Sequence, residues 1–205
     1  DITSGKDSWG NTPAIEYSGL IGIAGDATIQ DLVIEDALMY LQYGGGAIYG
    51  AGSNGTVVDN VTLRNVEVLN QYIYSGSDGA AVAFGIAGGK ISNITLENCG
   101  SLFHSAEENG DQCWHSALFA DRILSGTTID GVTITDCQLD ANKDSGLFST
   151  YLGDKGETTV SNIRVANVTV DGLEVNRAHP FVAYFAYDTY AYNADPTAFT
   201  ARYPK

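Results

Sequence analysis

Ile91-Ser-Asn-Ile-Thr-Leu96 is one of five variants of a single phrase in this chain; the others are Ile29-Gln-Asp-Leu-Val-Ile34, Val58-Asp-Asn-Val-Thr-Leu63, Ile129-Asp-Gly-Val-Thr-Ile134 and Val160-Ser-Asn-Ile-Arg-Val165. Their third residues, Asp31, Asn60, Asn93, Gly131 and Asn162, serve as anchors that recur at nearly even intervals along the sequence. A repeat on this scale marks stacked units that bury their apolar faces only against their neighbours. Within each phrase the apolar residues alternate with polar ones, the pattern of a strand with one buried face. The chain therefore reads as a β-solenoid.

Stacking turns the repeat into columns. One residue past the anchor stand Leu32, Val61, Ile94, Val132 and Ile163; three past it stand Ile34, Leu63, Leu96, Ile134 and Val165. Both columns are aliphatic throughout and are expected to point inward. Two past the anchor come Val33, Thr62, Thr95, Thr133 and Arg164, and four past it Glu35, Arg64, Glu97, Thr135 and Ala166, which are expected to face solvent. Glu35, Arg64 and Glu97 then form a charge ladder at the strand-to-strand spacing of about 4.8 Å. Such a ladder tunes stability by only ~0.2–1 kcal/mol per pair. The threonines read as ordinary outward strand residues, since their column is broken by Val33 and Arg164.

Each phrase is preceded by a short strand flanked by small residues: Gly19-Leu-Ile-Gly22, Gly46-Ala-Ile-Tyr-Gly50, Ala81-Val-Ala-Phe-Gly85, Ala117-Leu-Phe-Ala120 and Gly146-Leu-Phe-Ser149. It is followed by a third: Ala37-Leu-Met-Tyr, Val66-Glu-Val, Cys99-Gly-Ser-Leu, Cys137-Gln-Leu and Val168-Thr-Val. Three strands per turn describe a parallel β-helix, and parallel crossovers are nearly always right-handed. The expected architecture is thus an all-β, right-handed parallel β-helix of five to six rungs of roughly 30 residues, in one domain spanning 1–205. Residues 1–18 form an N-terminal cap or extension, 19–175 the repeats, and 176–205 an aromatic C-terminal cap or assembly segment.

Cys99 and Cys137 both fall six residues past their anchors, in the inward column of Ala37, Val66 and Val168. Adjacent rungs hold Cα atoms ~4.8 Å apart, inside the range of about 4.4–6.8 Å that a disulfide spans. Two readings stay open: a Cys99–Cys137 disulfide, or two free thiols serving as small core hydrophobes. Cys113 offers a further partner for Cys99, and the odd count leaves at least one thiol unpaired within a monomer. The cysteines lack the close spacing of a zinc site.

Composition narrows the class of function. Twenty-five acids against 10 bases give a net charge of −15, which repels nucleic acid and anionic lipid surfaces. No run of 18 apolar residues is present, so no membrane span is expected. The acidity, the scarcity of lysine and the abrupt start at Asp1 fit a secreted or cell-surface protein or an excised part of one. Four Asn-x-Thr sequons, at Asn54, Asn60, Asn93 and Asn167, arise from the repeat itself.

The glycine-flanked strand followed by the phrase, as in Gly19-Leu-Ile-Gly22 with Ala27-Thr-Ile-Gln-Asp-Leu32 and Gly146-Leu-Phe-Ser149 with Thr159-Val-Ser-Asn-Ile163, resembles the GLUG-type repeats of bacterial surface proteins and adhesins. The resemblance spans about residues 18–175 and implies a stalk or adhesive surface. The third and fourth units depart from it with Ala-Val-Ala-Phe-Gly and Ala-Leu-Phe-Ala. Pectin-degrading β-helix enzymes carry similar phrases, but the Asn-Thr-Asp, Asp-Asp, Gly-His-Gly and Arg-Ile-Lys motifs of the hydrolases do not occur here, and fold alone specifies no chemistry. No catalytic residue is assigned.

Two segments break the pattern. The insertion from Phe103 to His115 lies in the longest interval between anchors. Glu107, Glu108 and Asp111 offer oxygens that calcium can take, and Trp114 with His104 or His115 can stack on a sugar ring; the alternative is a solvated acidic turn. No cofactor is required by anything in the sequence. Phe181, Tyr184, Phe185, Tyr187, Tyr190 and Tyr192 concentrate aromatic area near the C-terminus. They suit either a cap over the last rung or end-to-end pairing with a neighbouring subunit. The expected function is a non-catalytic extracellular structural or adhesive unit that self-assembles into oligomers or filaments; the alternative is a carbohydrate-active module that binds a surface glycan.

Overall fold

The alternation of apolar and polar residues in the repeated phrase places its strands in parallel register, each phrase directly above the one before it. A computed structural model of the chain describes residues 17–41, 44–70, 80–103, 116–140, 145–153, 158–171 and 178–185. Along one face run the first half of β2 (Thr28–Leu41), the first half of β4 (Val57–Asn70), β7 (Lys90–Glu97), β11 (Thr128–Thr135) and β14 (Thr159–Ala166). Thr28, Val57, Lys90, Thr128 and Thr159 are successive partners. This is a parallel β-solenoid of about four turns between the first phrase and the fifth, the longest turn running from β7 to β11.

A second face continues from the first. In the lower rungs β2 and β4 are long strands that bend from one face to the other; above them the chain divides into separate strands, β8 (Gly100–Phe103), β12 (Gln138–Asp140) and β15 (Thr169–Asp171). These are the third strands expected from the sequence. The other main face is a six-stranded sheet of β1 (Ile21–Gly25), β3 (Tyr49–Gly52), β6 (Phe84–Ala87), β10 (Ala120–Ile123), β13 (Ser149–Leu152) and β16 (Val182–Phe185). A narrow strip of β5 (Ala80–Ala81) and β9 (Ser116–Ala117), prolonged by bridges from Ala117 to Gly146 and from Gly146 to His179, closes the section.

The segments read from sequence as upstream strands are displaced from that assignment. Gly46–Gly50, Ala81–Gly85, Ala117–Ala120 and Gly146–Ser149 lead round the corner from the narrow strip into the six-stranded sheet, and at least half of each strand follows the quoted residues. Their small residues serve the tightness of the corner: a side chain on Gly46 would run into the backbone of Phe84, and one on Gly85 into the carbonyl of Gly44.

The corners of the first face are set by left-handed backbone. The anchor column Asp31, Asn60, Asn93, Gly131 and Asn162 has φ between 53° and 74°. A second column five residues later, Asp36, Asn65, Asn98, Asp136 and Asn167, has φ between 52° and 56°. Asn and Asp tolerate this conformation better than other residues with a side chain, because their short polar groups hydrogen-bond locally. Here they also bond between rungs: Asn60 Nδ2 donates to Asp31 (2.6 Å), Asn65 Nδ2 to Asp36 (2.8 Å), Asn98 Nδ2 to Asn65 Oδ1 (2.8 Å) and Asn167 Nδ2 to Asp136 (3.1 Å).

Between the corners the interior is apolar and closely packed. Val61, Ile94 and Val132 are buried, as are Leu63, Leu96 and Ile134, in agreement with the inward columns; at the ends of those columns Leu32, Ile34 and Ile163 are half-buried and Val165, expected inward, is exposed. Under the six-stranded sheet, five rings follow one another: Tyr49, Phe84, Phe119, Phe148 and Phe181, with centroids 4.8, 5.1, 4.5 and 4.7 Å apart. The ring row does not follow the backbone register. Phe84 is paired with Ala120 while its ring meets Phe119 one residue earlier. On the outside, Arg64 bonds to Glu35 below and, through Nε at 3.0 Å, to Glu97 above, as the charge ladder requires. These groups are nearly half exposed, so the ladder adds little stability.

Two expectations follow for stability. Ile94→Asp or Val132→Asp buries an unpaired carboxylate in the aliphatic column, and the cooperative thermal transition seen by circular dichroism is expected to vanish; a variant melting like the parent would contradict the inward register. Asn98→Ala loses a ladder bond, about 1 kcal/mol, and forces alanine into left-handed backbone, about 1–2 kcal/mol. Asn98→Gly loses the bond alone, so its midpoint in urea is expected to lie between those of the parent and the alanine variant.

Candidate functional site

Asn, Asp and Gln side chains gather where the first face bends into the second, and they line a concavity. It has a volume of about 240 Å³. Its floor is the second left-handed column, Asn65, Asn98, Asp136 and Asn167, and its side is formed by Glu67, Gln138 and Thr169 from the adjoining strands. Each of these last three stands seven residues past an anchor and is exposed. Gly100 occupies the same column on the rung between Glu67 and Gln138, and Leu102 leans over it. Gln138 Nε2 donates to Asp140 Oδ1 at 2.9 Å.

Behind the floor lie Cys99 and Cys137, stacked on adjacent rungs and both buried. In this structure they are free thiols that serve as small core residues. In parallel, in-register strands their side chains leave the backbone side by side in the same direction, whereas a disulfide needs its Cβ atoms to approach within about 3.5–4.5 Å. Each sulfur finds backbone partners instead: Cys99 donates to the carbonyl of Glu97 (3.3 Å), Cys137 to that of Thr135 (3.2 Å), and the Cys99 N–H donates to the Cys137 sulfur (3.4 Å). The neighbouring Cys99 sulfur, together with burial, pushes the Cys137 thiol well above its ordinary value. The same contact holds the Cys99 thiol below its ordinary value, and both sulfurs are buried in the core.

Two carboxylates of the first face, half-buried Asp59 and exposed Asp130, are held in the opposite sense. Ser92 Oγ and Asn93 Nδ2 donate to Asp59 (2.6 and 2.8 Å), and Ser161 Oγ and Asn162 Nδ2 to Asp130 (2.8 and 2.7 Å). Hydrogen bonds to the ionised form hold both below the usual carboxylate value. Among the described residues no three His, Cys, Asp or Glu side chains are grouped to hold a metal ion.

The residues singled out in the insertion, Trp114, His104, His115, Glu107, Glu108 and Asp111, lie outside the described residues. The chain leaves for that segment after β8 and returns at β9, at the corner between the second face and the narrow strip. Of the aromatic tail, Phe181 is the fifth ring of the internal row, and Tyr184 and Phe185 pair with Tyr151 and Leu152 in β13. β16 thus continues the six-stranded sheet to Phe185. Tyr187, Tyr190 and Tyr192 lie outside the described residues.

The groove itself is absent from the sequence reading. The signal for its floor was present: the position five past each anchor is Asp or Asn in all five units. Comparison of the chain with family models, curated proteins and solved structures gave no match. The solenoid architecture accordingly rests on the register of its own strands.

The thiols and carboxylates give a testable pH window. Asp59 and Asp130 have lowered values in the fold, so the stability they contribute is present above their unfolded value of 3.8 and is lost as pH falls through the folded one. Cys137 and Tyr49 have raised values, Tyr49 through burial; their stability is present below the unfolded values of 9.0 and 10.0 and is lost as pH rises beyond them. Thermal melts are expected to show a plateau between these limits and a decline on both sides, and continued stabilisation above the alkaline limit would contradict the burial of these groups. In a Cys113→Ser background, neither remaining thiol is expected to react with a disulfide reagent until the protein is denatured; rapid reaction in native buffer would contradict their placement.

Proposed function

We propose that this chain is a non-catalytic structural or adhesive β-solenoid unit of a secreted or surface protein, assembling end to end through its terminal rungs. The observation that carries the reading is how apolar exposure is distributed. Among the described residues the large exposed hydrophobics are Leu20, Ile23, Val33, Leu38, Tyr40 and Val165. Five belong to the first rung and the sixth to the fifth phrase; of the five, Val33, Leu38 and Tyr40 stand at outward strand positions, so the ends are marked by Leu20, Ile23 and Val165. Inward positions behave alike: Val61, Ile94 and Val132 are buried, but Leu32 and Ile163 at the two ends of the same column are only half-buried.

Strand edges and apolar core are what a solenoid presents where its stacking stops. A second copy continuing the stack would place β2 upon β14 and β15, matching aliphatic columns that already share one register. The Asp136 step above Asn98 shows how an acidic corner residue sits over an amide within the chain, and Asp36 over Asn167 would repeat it. In this reading the coil is right-handed, the repeats belong with the GLUG-type units they resemble, and the aromatic tail beyond Phe185 covers or joins the last rung. The acidic insertion would respond to calcium.

Size distribution of the purified chain, by light scattering and negative-stain microscopy with calcium and with chelator, tests the reading. Oligomers or filaments that grow with concentration are expected, and Val165→Lys should reduce them by placing charge at the joining surface. A monomer at all concentrations in both solutions would overturn end-to-end assembly.

A further inference from the structure

We propose that the amide-lined groove at the bend between the first and second faces binds a linear, uncharged saccharide laid along the solenoid axis. This site lies on the side of the coil and is independent of assembly through the ends.

The first argument is the chemistry of the lining. Three floor residues are carboxamides, Asn65, Asn98 and Asn167, and each commits one Nδ2 bond to the residue a rung below. A carboxamide has two N–H donors, so each of these rungs retains one, beside the Gln138 amide and the Thr169 hydroxyl on the adjoining strands. Glu67 and Asp136 supply acceptors. Sugar hydroxyls donate and accept in turn, and a surface that alternates the two suits them. No Lys or Arg lines the groove, and the chain carries a net charge of −15; a polyanionic glycan would be repelled.

The second argument is the stripe beside it. The next outward column on the same face holds Tyr40, Leu69 and Leu102 in direct backbone register on the lower three rungs, and Asp140 and Asp171 continue it beside Gln138 and Thr169. Tyr40 is 54% exposed and Leu38, one column nearer the groove, 53%. A pyranose ring has an apolar C–H face and a rim of hydroxyls, so an apolar stripe beside an amide row offers both surfaces it needs, with a few polar groups fixing orientation. The third argument is periodicity. The polar groups recur at each rung, about 4.8 Å apart, which favours a ligand that also repeats along its length over a compact one.

The test is calorimetric titration of the whole chain with neutral hexasaccharides of glucan, xylan and mannan type and with oligogalacturonate of equal length. The parent is expected to bind at least one neutral oligosaccharide and not the anionic one. The double variant Gln138→Ala/Thr169→Ala, altered only at exposed positions, is expected to bind about tenfold more weakly through loss of two hydrogen bonds, with its melting temperature unchanged. Tyr40→Ala should weaken binding without abolishing it. No neutral binding at millimolar concentration, preference for the anionic chain, or undiminished binding by the double variant would each overturn the proposal; none of them bears on whether the chain assembles through its ends.

Discussion

Everything in this solenoid depends on a backbone that turns the same way at the same two places in every rung. The turns are made by residues at φ near 53°, which most side chains resist. Asn and Asp accept that conformation and hand their side chains to the rung below. The buried aliphatic columns forbid a one-residue slip, which would turn every side chain to the other face, but they discriminate less against a slip of two. A side-chain amide bonded to the rung beneath penalises a slip, because the donor would be left over the wrong residue. The corner ladder therefore acts on conformation and on register together, and the apolar columns then pack in the only alignment left open to them.

The chain varies what the corner allows it to vary. Differences in turn length fall between the second face and the narrow strip and also between the six-stranded sheet and the first face, while the two left-handed columns keep the same spacing from one another in every unit. The ring row shows a second tolerance. Tyr49 and Phe84 pair in backbone register, yet Phe119, Phe148 and Phe181 enter the row from one position earlier. A core built from rings 4.5 to 5.1 Å apart constrains where aromatic area sits more than which strand position supplies it.

Sequence made the inward columns legible because alternation has a short period and five copies can be compared. Val61, Leu63, Ile94, Leu96, Val132 and Ile134 were all read correctly from that pattern, as was the Glu35–Arg64–Glu97 ladder. The Asp36, Asn65, Asn98, Asp136 and Asn167 column was missed because Asn and Asp between strands ordinarily signal nothing more specific than a turn. The ring row was hidden by its shift against the backbone. The groove was hidden for a different reason: Asn98, Gln138 and Thr169 belong to three different units of the repeat and meet only through stacking. Cα spacing alone left both readings of Cys99 and Cys137 open, because it ignores the direction in which the side chains project.

The central claim is that paired left-handed Asn/Asp corners stack in register, and solution NMR tests it directly. Strong intraresidue HN–Hα contacts are expected at Asn60, Asn65, Asn93, Asn98, Asn162 and Asn167, the mark of positive φ, together with contacts linking Thr62 to Thr95 and Thr95 to Thr133 across rungs. Extended backbone at these asparagines, or cross-rung contacts displaced by a residue, would contradict the account.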